Sequence, residues 1–289
     1  MIDLHIHTTA SADAHHAPRE IFSLSRELGL RCIAFADHNS IDSVSEGLAL
    51  QSEFGVEFIT GVELNTELAG RDIHLLGYGF DPRSRALREW FTEINARFRE
   101  VAERRVKRFV KLGLKLTMEQ VERHAAGKLP TGSSFLDALA EDADNRRHPL
   151  VRPYLVGPKS ENPYVNFYFD TMCNGGPADV GEASLPAIES VARLLAVKAV
   201  PVVAHPREMS EGDLRALIDA GLMGVEAFCS YHDAALSARW RELAARHNLL
   251  ITAGSDFHGV RTKAAVHLGQ IEGNDYALVE RLREAITHL

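Results

Sequence analysis

Along the chain, short apolar runs rich in β-branched residues alternate with longer stretches of helical period. That alternation is the pattern of βα units laid around a mostly parallel sheet, and it puts the protein in the α/β class. The runs predict strands at Ile2–Ile6, Cys32–Ala36, Phe58–Val62, Ile73–Gly77, Pro201–Ala204, Val225–Phe228 and Ile251–Ala253. Helices are predicted at Pro18–Leu28, Ile41–Phe54, Leu185–Val197, Glu211–Ala220, Ala234–His247 and Asp275–Thr287, several opened by Pro, Ser, Asp or Asn. In "RELGLRC" and "LIDAGLMGV" a glycine closes a helix just before the next strand.

One region breaks the rhythm. From about Ser84 to Leu112 runs an Arg- and Glu-rich helical stretch, followed by a second helix near Thr117–Ala125 and an aromatic, Pro/Gly/Asn-rich segment from Gly157 to Val180. Residues 84–180 therefore read as an inserted, largely helical cap, with 1–83 and 181–289 as the two parts of the core domain. The mixed charges of "RFREVAERRVKRFVKLG" read as a solvated helix face with i,i+4 pairing rather than a phosphate-facing strip.

Composition narrows the function classes. A net charge of −8 over 289 residues disfavours a long nucleic acid as partner, because binding by counterion release needs clustered Lys and Arg. The three cysteines, Cys32, Cys173 and Cys229, have no paired spacing, so neither a disulfide framework nor a thiolate zinc site is implied. With no run of 18 apolar residues and no leader-like start, the expectation is a soluble cytoplasmic protein without a membrane partner.

Where the ionisable residues fall is more informative. His5 and His7 end the first strand, Asp37 and His38 end "CIAFADH", and Glu63 ends "FITGVE". His74 lies in "RDIHLLG", His205 ends "PVVAHP", and Asp256 and His258 end "ITAGSDFH". The carboxyl ends of parallel strands share one face, so these side chains converge there. A His, Asp and Glu set without thiolate suits manganese, iron or zinc. His5 and His7, two apart on a strand, share a face and can share an ion.

Together, "DLHIHTTAS", "ADHNS", "GVEL", "HLLGYG", "AHPRE" and "GSDFHG" resemble the ordered motifs of the PHP (polymerase and histidinol phosphatase) family, from Ile2 to about His267 with the insertion between. The resemblance implies a distorted seven-stranded β/α barrel with a trinuclear metal centre. It points to the bacterial subgroup of metal-dependent phosphoesterases, which includes nucleotide bisphosphate phosphatases and a cyclic-phosphate phosphodiesterase. By motif, one ion would be held by His5, His7, Glu63 and Asp256, a second by Glu63, His74 and His205, and a third by Asp13, His38 and His258. Many relatives read S-D-G after the opening histidines where this chain reads Ser11-Ala12-Asp13, so His15 or His16 stands as an alternative to Asp13.

Such an enzyme would carry three divalent ions, manganese first, with iron or zinc as alternatives. Ions about 3.5–4 Å apart hold a bridging hydroxide and polarise phosphoryl oxygens. Arg207 is the candidate phosphate clamp, its fork suited to two oxygens, the alternative being a surface arginine. His232 would donate a proton to the leaving group or hold a second phosphate; otherwise it caps the next helix. Lys263 would anchor a distal phosphate, and Asp37 and Glu226 would orient ligand imidazoles. Where relatives carry a G-K-P lysine this chain has Gly176, leaving Lys128, Lys159 or Arg152 to compensate. In "NPYVNFYFD", Tyr164, Phe167, Tyr168 and Phe169 read as core of the insertion rather than a base-stacking platform.

The expectation is a metal-dependent phosphoesterase acting on phosphate mono- or cyclic diesters of a small nucleotide or sugar phosphate. The rivals are a PHP-type exonuclease on short oligonucleotides, a non-catalytic metal-binding module, and an amidohydrolase, whose sites also open with H-x-H. The joint presence of Glu63, His74 and Asp256-Phe257-His258 favours phosphate chemistry.

Overall fold

A computed structural model describes residues 1–173, 175–181 and 184–289. In chain order the elements begin β1 (Ile2–Ile6), α1 (Pro18–Glu27), β2 (Cys32–Phe35), α2 (Val44–Phe54), β3 (Glu57–Ile59), β4 (Gly61–Leu68) and β5 (Arg71–Tyr78). Next come α3 (Arg85–Lys111), α4 (Met118–Ala125), α5 (Gly132–Ala140), α6 (Arg152–Leu155) and α7 (Pro163–Phe167). The chain closes with β6 (Leu185–Pro186), α8 (Ala187–Ala196), β7 (Val200–Val203), α9 (Glu211–Asp219), β8 (Gly224–Cys229), α10 (Ala234–His247), β9 (Leu250–Gly254) and α11 (Ala277–Thr287).

The strands form two sheets, one of order β1-β2-β3 and one of order β6-β4-β5-β7-β8-β9. All pairings are parallel except β4 with β5 and β5 with β7. Two isolated parallel bridges, Ile6 to Phe257 and His38 to Glu63, link the sheets, and both fall where the strand-end histidines and carboxylates gather. The architecture is a mixed α/β fold with a parallel-rich sheet. Among the described residues nine strands lie in two sheets, two beyond the seven predicted runs: β6 stands at the start of a predicted helix, and one predicted run is divided. The run Phe58–Val62, expected as one strand, breaks at Thr60, whose hydroxyl donates to the Phe80 carbonyl at 2.8 Å; β3 then pairs with β2 and β4 with β5. β4 continues through "NTEL" into a hairpin whose two turn residues, Ala69 and Gly70, both have positive φ, as a type I′ turn requires.

Alternation along the strands divides the core. Ile33, Phe35, Leu75 and Val203 face the helices in one buried cluster, while Cys32, Ala34, Leu76, Val202 and Ala204 join Val279 and Leu282 of α11 in another. Residues of the insertion form a third cluster of their own, centred on Phe109, Phe135, Leu139 and Phe167. The 27-residue α3 contributes to two of the clusters: Leu87, Trp90, Phe91 and Ile94 pack in the first, Ala102, Val106 and Phe109 in the third. Among the described residues, no helix is long and apolar enough to cross a membrane.

Candidate metal centre and active site

The strand ends deliver their side chains to one place, and Glu63 stands at its middle. Its Oε1 lies 2.9 Å from Nδ1 of His74 and 2.9 Å from Nε2 of His205. Its Oε2 lies 2.9 Å from Nδ1 of His38, 3.3 Å from Nε2 of His7 and 3.4 Å from Nε2 of His5. One carboxylate thus faces five imidazoles, and it is wholly buried. Asp256 completes the floor, its Oδ1 3.1 Å from Nε2 of His7 and 3.6 Å from Nε2 of His5.

Among the described residues three sets of donors gather tightly enough to hold an ion: His5, His7, Glu63 and Asp256; His38, Glu63 and His74; and His7, His38 and His258. His205 joins through Glu63. Asp13 stands at the edge, its Oδ2 3.9 Å from Nε2 of His38 and its buried Oδ1 without a hydrogen-bond partner. Of the alternatives to Asp13, His15 is turned to the Thr262 hydroxyl at 3.0 Å, and His16 stacks on Phe257 and pairs with Glu20. Neither belongs to a donor set.

The packing aims these imidazoles. Nδ1 of His5 lies 3.1 Å from Glu226 and Nδ1 of His258 lies 2.9 Å from the Asp256 carbonyl, so each ring presents Nε2 inward. There Nε2 of His5 meets Nε2 of His7 at 3.2 Å, and Nε2 of His258 meets Nε2 of His38 at 3.3 Å. Glu226 also accepts the His205 backbone N–H at 2.8 Å, fixing two candidate ligands at once. Asp37 does not touch an imidazole, contrary to expectation. It accepts from the Thr8 N–H at 2.7 Å, the Ser11 hydroxyl at 2.8 Å and the Ser43 hydroxyl at 2.5 Å, and so shapes the loop after β1. His205 and Asp256 both have positive φ, 26° and 59°, which side chains other than glycine rarely adopt. Strain of this kind costs about 1–3 kcal/mol per residue and is held in place by the surrounding contacts.

Electrostatics follow from burial without water. Burial alone would raise the Glu63 carboxyl, but His5, His74 and His38 outweigh it and hold it well below the usual carboxylate range. Burial disfavours the imidazolium of His74, yet Glu63 and Asp72 push that ring up to about 10. His258, buried among His7, Lys263 and His38, is driven well down. Lys263 donates to Asp256 Oδ2 at 2.5 Å and is held protonated there, which places its charge on the floor of the site.

At the cluster opens a cavity of about 460 Å³, lined by strand-end residues and by residues between 98 and 169. Asp13, His38, His74, His205, Arg207, Asp256, His258 and Lys263 line it. His232 does not. Its Nδ1 donates to the Ala227 carbonyl at 3.1 Å while its neighbour Tyr231 takes the wall position. Tyr231 donates to Asp256 Oδ2 at 2.7 Å, and its ring lies 4.6 Å from the Arg207 guanidinium. Sequence reasoning passed over Tyr231 because a tyrosine beside a histidine carries no motif. Asn65, 2.9 Å from Nε2 of His74 and tied to Asn39, was missed because "NTEL" reads as loop.

The cap residues differ from expectation too. Phe167 is core, while Tyr164, Tyr168 and Phe169 line the cavity. None of Lys128, Arg152, Lys159 and Gly176 lines it; Lys159 is paired with Asp170 at 2.5 Å. Arg105, on α3, does line it.

Residues 3–129 match the family model of the PHP domain. The phosphoribosyl 1,2-cyclic phosphate 1,2-diphosphodiesterase of Eggerthella lenta is 27% identical over 260 residues, covering 89% of this chain and 94% of the relative. The 5′-3′ exoribonuclease of Haemophilus influenzae is 28% identical, covering 89% of each chain. The 3′,5′-nucleoside bisphosphate phosphatase of Chromobacterium violaceum is 25% identical, covering 89% of this chain and 87% of its own. Among solved structures, a Bifidobacterium adolescentis protein described as a metal-dependent phosphoesterase superposes with a TM-score of 0.80 over 98% of this chain and 96% of its own, at 24% identity. That likeness establishes the fold.

Proposed function

From a chain that carries a PHP domain, we propose the activity of a metal-dependent phosphoesterase that hydrolyses phosphate mono- or cyclic diesters of a small nucleotide or sugar phosphate. The observation that carries this reading is the Glu63 carboxylate, buried and encircled by five imidazoles at the base of a cavity of substrate size.

The residues fit divalent cations on their own evidence. Glu63 Oε2 and Asp256 Oδ1 are buried and face imidazole nitrogens, Asp13 Oδ1 is buried without a hydrogen-bond partner, and Nε2 atoms converge in pairs as lone pairs do around a shared ion. In this reading His5, His7, Glu63 and Asp256 hold one ion, Glu63, His74 and His205 a second, and Asp13, His38 and His258 a third. Manganese comes first in this reading, with iron or zinc as alternatives, since nitrogen and carboxylate donors without thiolate suit all three. When bound, the ions supply Lewis acidity and water activation near neutral pH. The chain does the rest. Arg207 forks onto phosphoryl oxygens, Tyr231 holds Arg207 against its ring, and Lys263 brings positive charge to the cavity floor. His232, off the cavity wall, keeps the second role as proton donor only through a movement or an intervening water. The two sheets form the distorted barrel of the family in this account, with 84–180 as the cap that governs which substrate fits. Three free cysteines suit a reducing cytoplasm.

A screen for phosphate release from nucleotides, bisphosphates, cyclic phosphates and sugar phosphates by manganese-, iron- and zinc-loaded protein tests the reading. Turnover of small esters with bound metal at stoichiometric levels supports it; absence of turnover or of metal overturns it. The Haemophilus exoribonuclease, as similar as the other relatives, gives a second reading on short oligonucleotides. Comparing kcat/KM on oligonucleotides with that on mononucleotides decides between them.

A further inference from the structure

Resting on the phosphoesterase reading and its second ion, we propose that Asp72 is a positioning residue for His74. It accepts the hydrogen of Nε2, so that Nδ1 keeps its lone pair for the ion shared with Glu63 and His205. The β4–β5 hairpin makes the arrangement. Glu63 and Asn65 are two apart on β4, Asp72 and His74 are two apart on β5, and Asn65 is paired in register with His74, so all four side chains stand on one face. Nδ1 of His74 lies 2.9 Å from Glu63 Oε1, on the side of the donor set, and Nε2 turns the other way. There it meets Asp72 Oδ2 at 3.5 Å and the Asn65 amide nitrogen at 2.9 Å.

These two neighbours ask for opposite states of Nε2. The Asn65 backbone N–H donates to Asn39 Oδ1 at 3.0 Å, which fixes the Asn39 amide, and Asn39 Nδ2 then donates to Asn65 Oδ1 at 2.5 Å. Asn65 is left with its nitrogen toward His74, a donor that calls for a lone pair on Nε2. A neutral ring that satisfies Asn65 carries its hydrogen on Nδ1, toward Glu63, and has no lone pair there for a cation. Asp72 calls for the reverse. A carboxylate only accepts, so the ring that satisfies it bears hydrogen on Nε2 and leaves Nδ1 open. The same logic holds at His5 with the nitrogens exchanged, where Glu226 takes Nδ1 and Nε2 faces inward. Asp72 is itself anchored: its Oδ1 lies 3.5 Å from the Ser184 hydroxyl, and the Ser184 carbonyl accepts from Arg97 of α3 at 2.8 Å. Occupancy of the second site therefore depends on Asp72 prevailing over Asn65.

In the experiment, wild type, Asp72→Asn and Asn65→Leu are loaded with manganese and dialysed against graded chelator, and bound metal is counted by elemental analysis. Asp72→Asn is expected to give up one ion at about 10- to 100-fold lower chelator than wild type, the usual cost of removing an orienting group. Asn65→Leu, which removes the competing donor, is expected to keep that ion at least as tightly as wild type. Unchanged retention in Asp72→Asn overturns the proposal. So does a loss in Asn65→Leu as large as in Asp72→Asn, because a hairpin loosened by either change would behave that way. A second measurement needs only folded wild type. In the zinc-loaded protein, nitrogen-15 shifts of the ring, assigned by comparison with His74→Gln, report which nitrogen of His74 bears hydrogen. Hydrogen on Nε2 supports the proposal and hydrogen on Nδ1 overturns it, whether or not Asp72→Asn folds. If wild type binds no divalent ion, or binds it and releases no phosphate from small esters, the phosphoesterase reading itself has failed, a result distinct from retention of metal by Asp72→Asn.

Discussion

The Glu226 carboxylate lies 3.1 and 3.3 Å from Nδ1 of His5, and neither side chain is exposed. The contact gives the Nδ1 hydrogen of His5 an acceptor and leaves Nε2 facing His7 and Glu63. Replacing Glu226 with alanine removes that restraint and the acceptor for the His205 N–H. The expected outcome is a 10- to 100-fold loss of metal affinity, read by elemental analysis after dialysis against graded chelator, with the overall fold retained by circular dichroism.

Gly254 stands where the same pair is most crowded. A β-carbon there would lie 2.1 Å from the His5 Cβ and 2.5 Å from Glu226 Oε1. Gly254→Ala must displace both, so thermal melting should show a loss of about 1–3 kcal/mol and metal content should fall with it. A variant as stable and as metal-rich as wild type would contradict the observed packing.

Protons and metal compete for the cluster. His74 is pushed up to about 10, and His5 and His7 are also raised by neighbouring carboxylates. A folded-state value above the unfolded one gives stability that is complete below about pH 6.5 and lost as pH rises toward 10. The metal-free protein should therefore melt at progressively lower temperature from pH 7 to pH 10. Manganese binding should release protons and tighten as pH rises. Calorimetry of metal binding in buffers of different ionisation enthalpy counts the protons directly.

Tyr231 and His232 are neighbours with different placements, one lining the cavity and one behind it. Tyr231→Leu removes both the hydroxyl on Asp256 and the ring under Arg207, and should raise KM about tenfold or more. His232→Gln should act chiefly on kcat, with a shifted basic limb of the pH profile, if the ring reaches the leaving group. An unchanged kcat assigns it to the loop after β8.

The cysteines give a simpler check. Burial raises Cys32 and Cys173 to about 12, so alkylation at pH 8 should be far slower than for a free thiol and accelerate on adding urea.

The floor of the site was legible in the sequence because ligands at strand ends follow from period and position. His5, His38, Glu63, His205 and Asp256 each close an apolar run, and parallel strands bring those ends to one face. The walls were less legible. Glu226 was expected to orient a ligand imidazole, but which one it meets, His5 of β1, and its hold on the His205 N–H are relations no local pattern records. The sheet change at Thr60 hides inside a continuous apolar run. Arg105 sits in a stretch with so many charges that one turned inward looks like its solvated neighbours, although its spacing from Val101, Ala102 and Phe109 marks the buried side.

A helix of 27 residues is about 40 Å long, and α3 has one end embedded in each of two cores. It works as a beam rather than a tether. One continuous helix therefore joins the two cores, and Phe98 and Arg105, both lining the cavity, lie on it. Changes midway along α3, around Phe98, should accordingly retune which molecules are accepted before they weaken the fold.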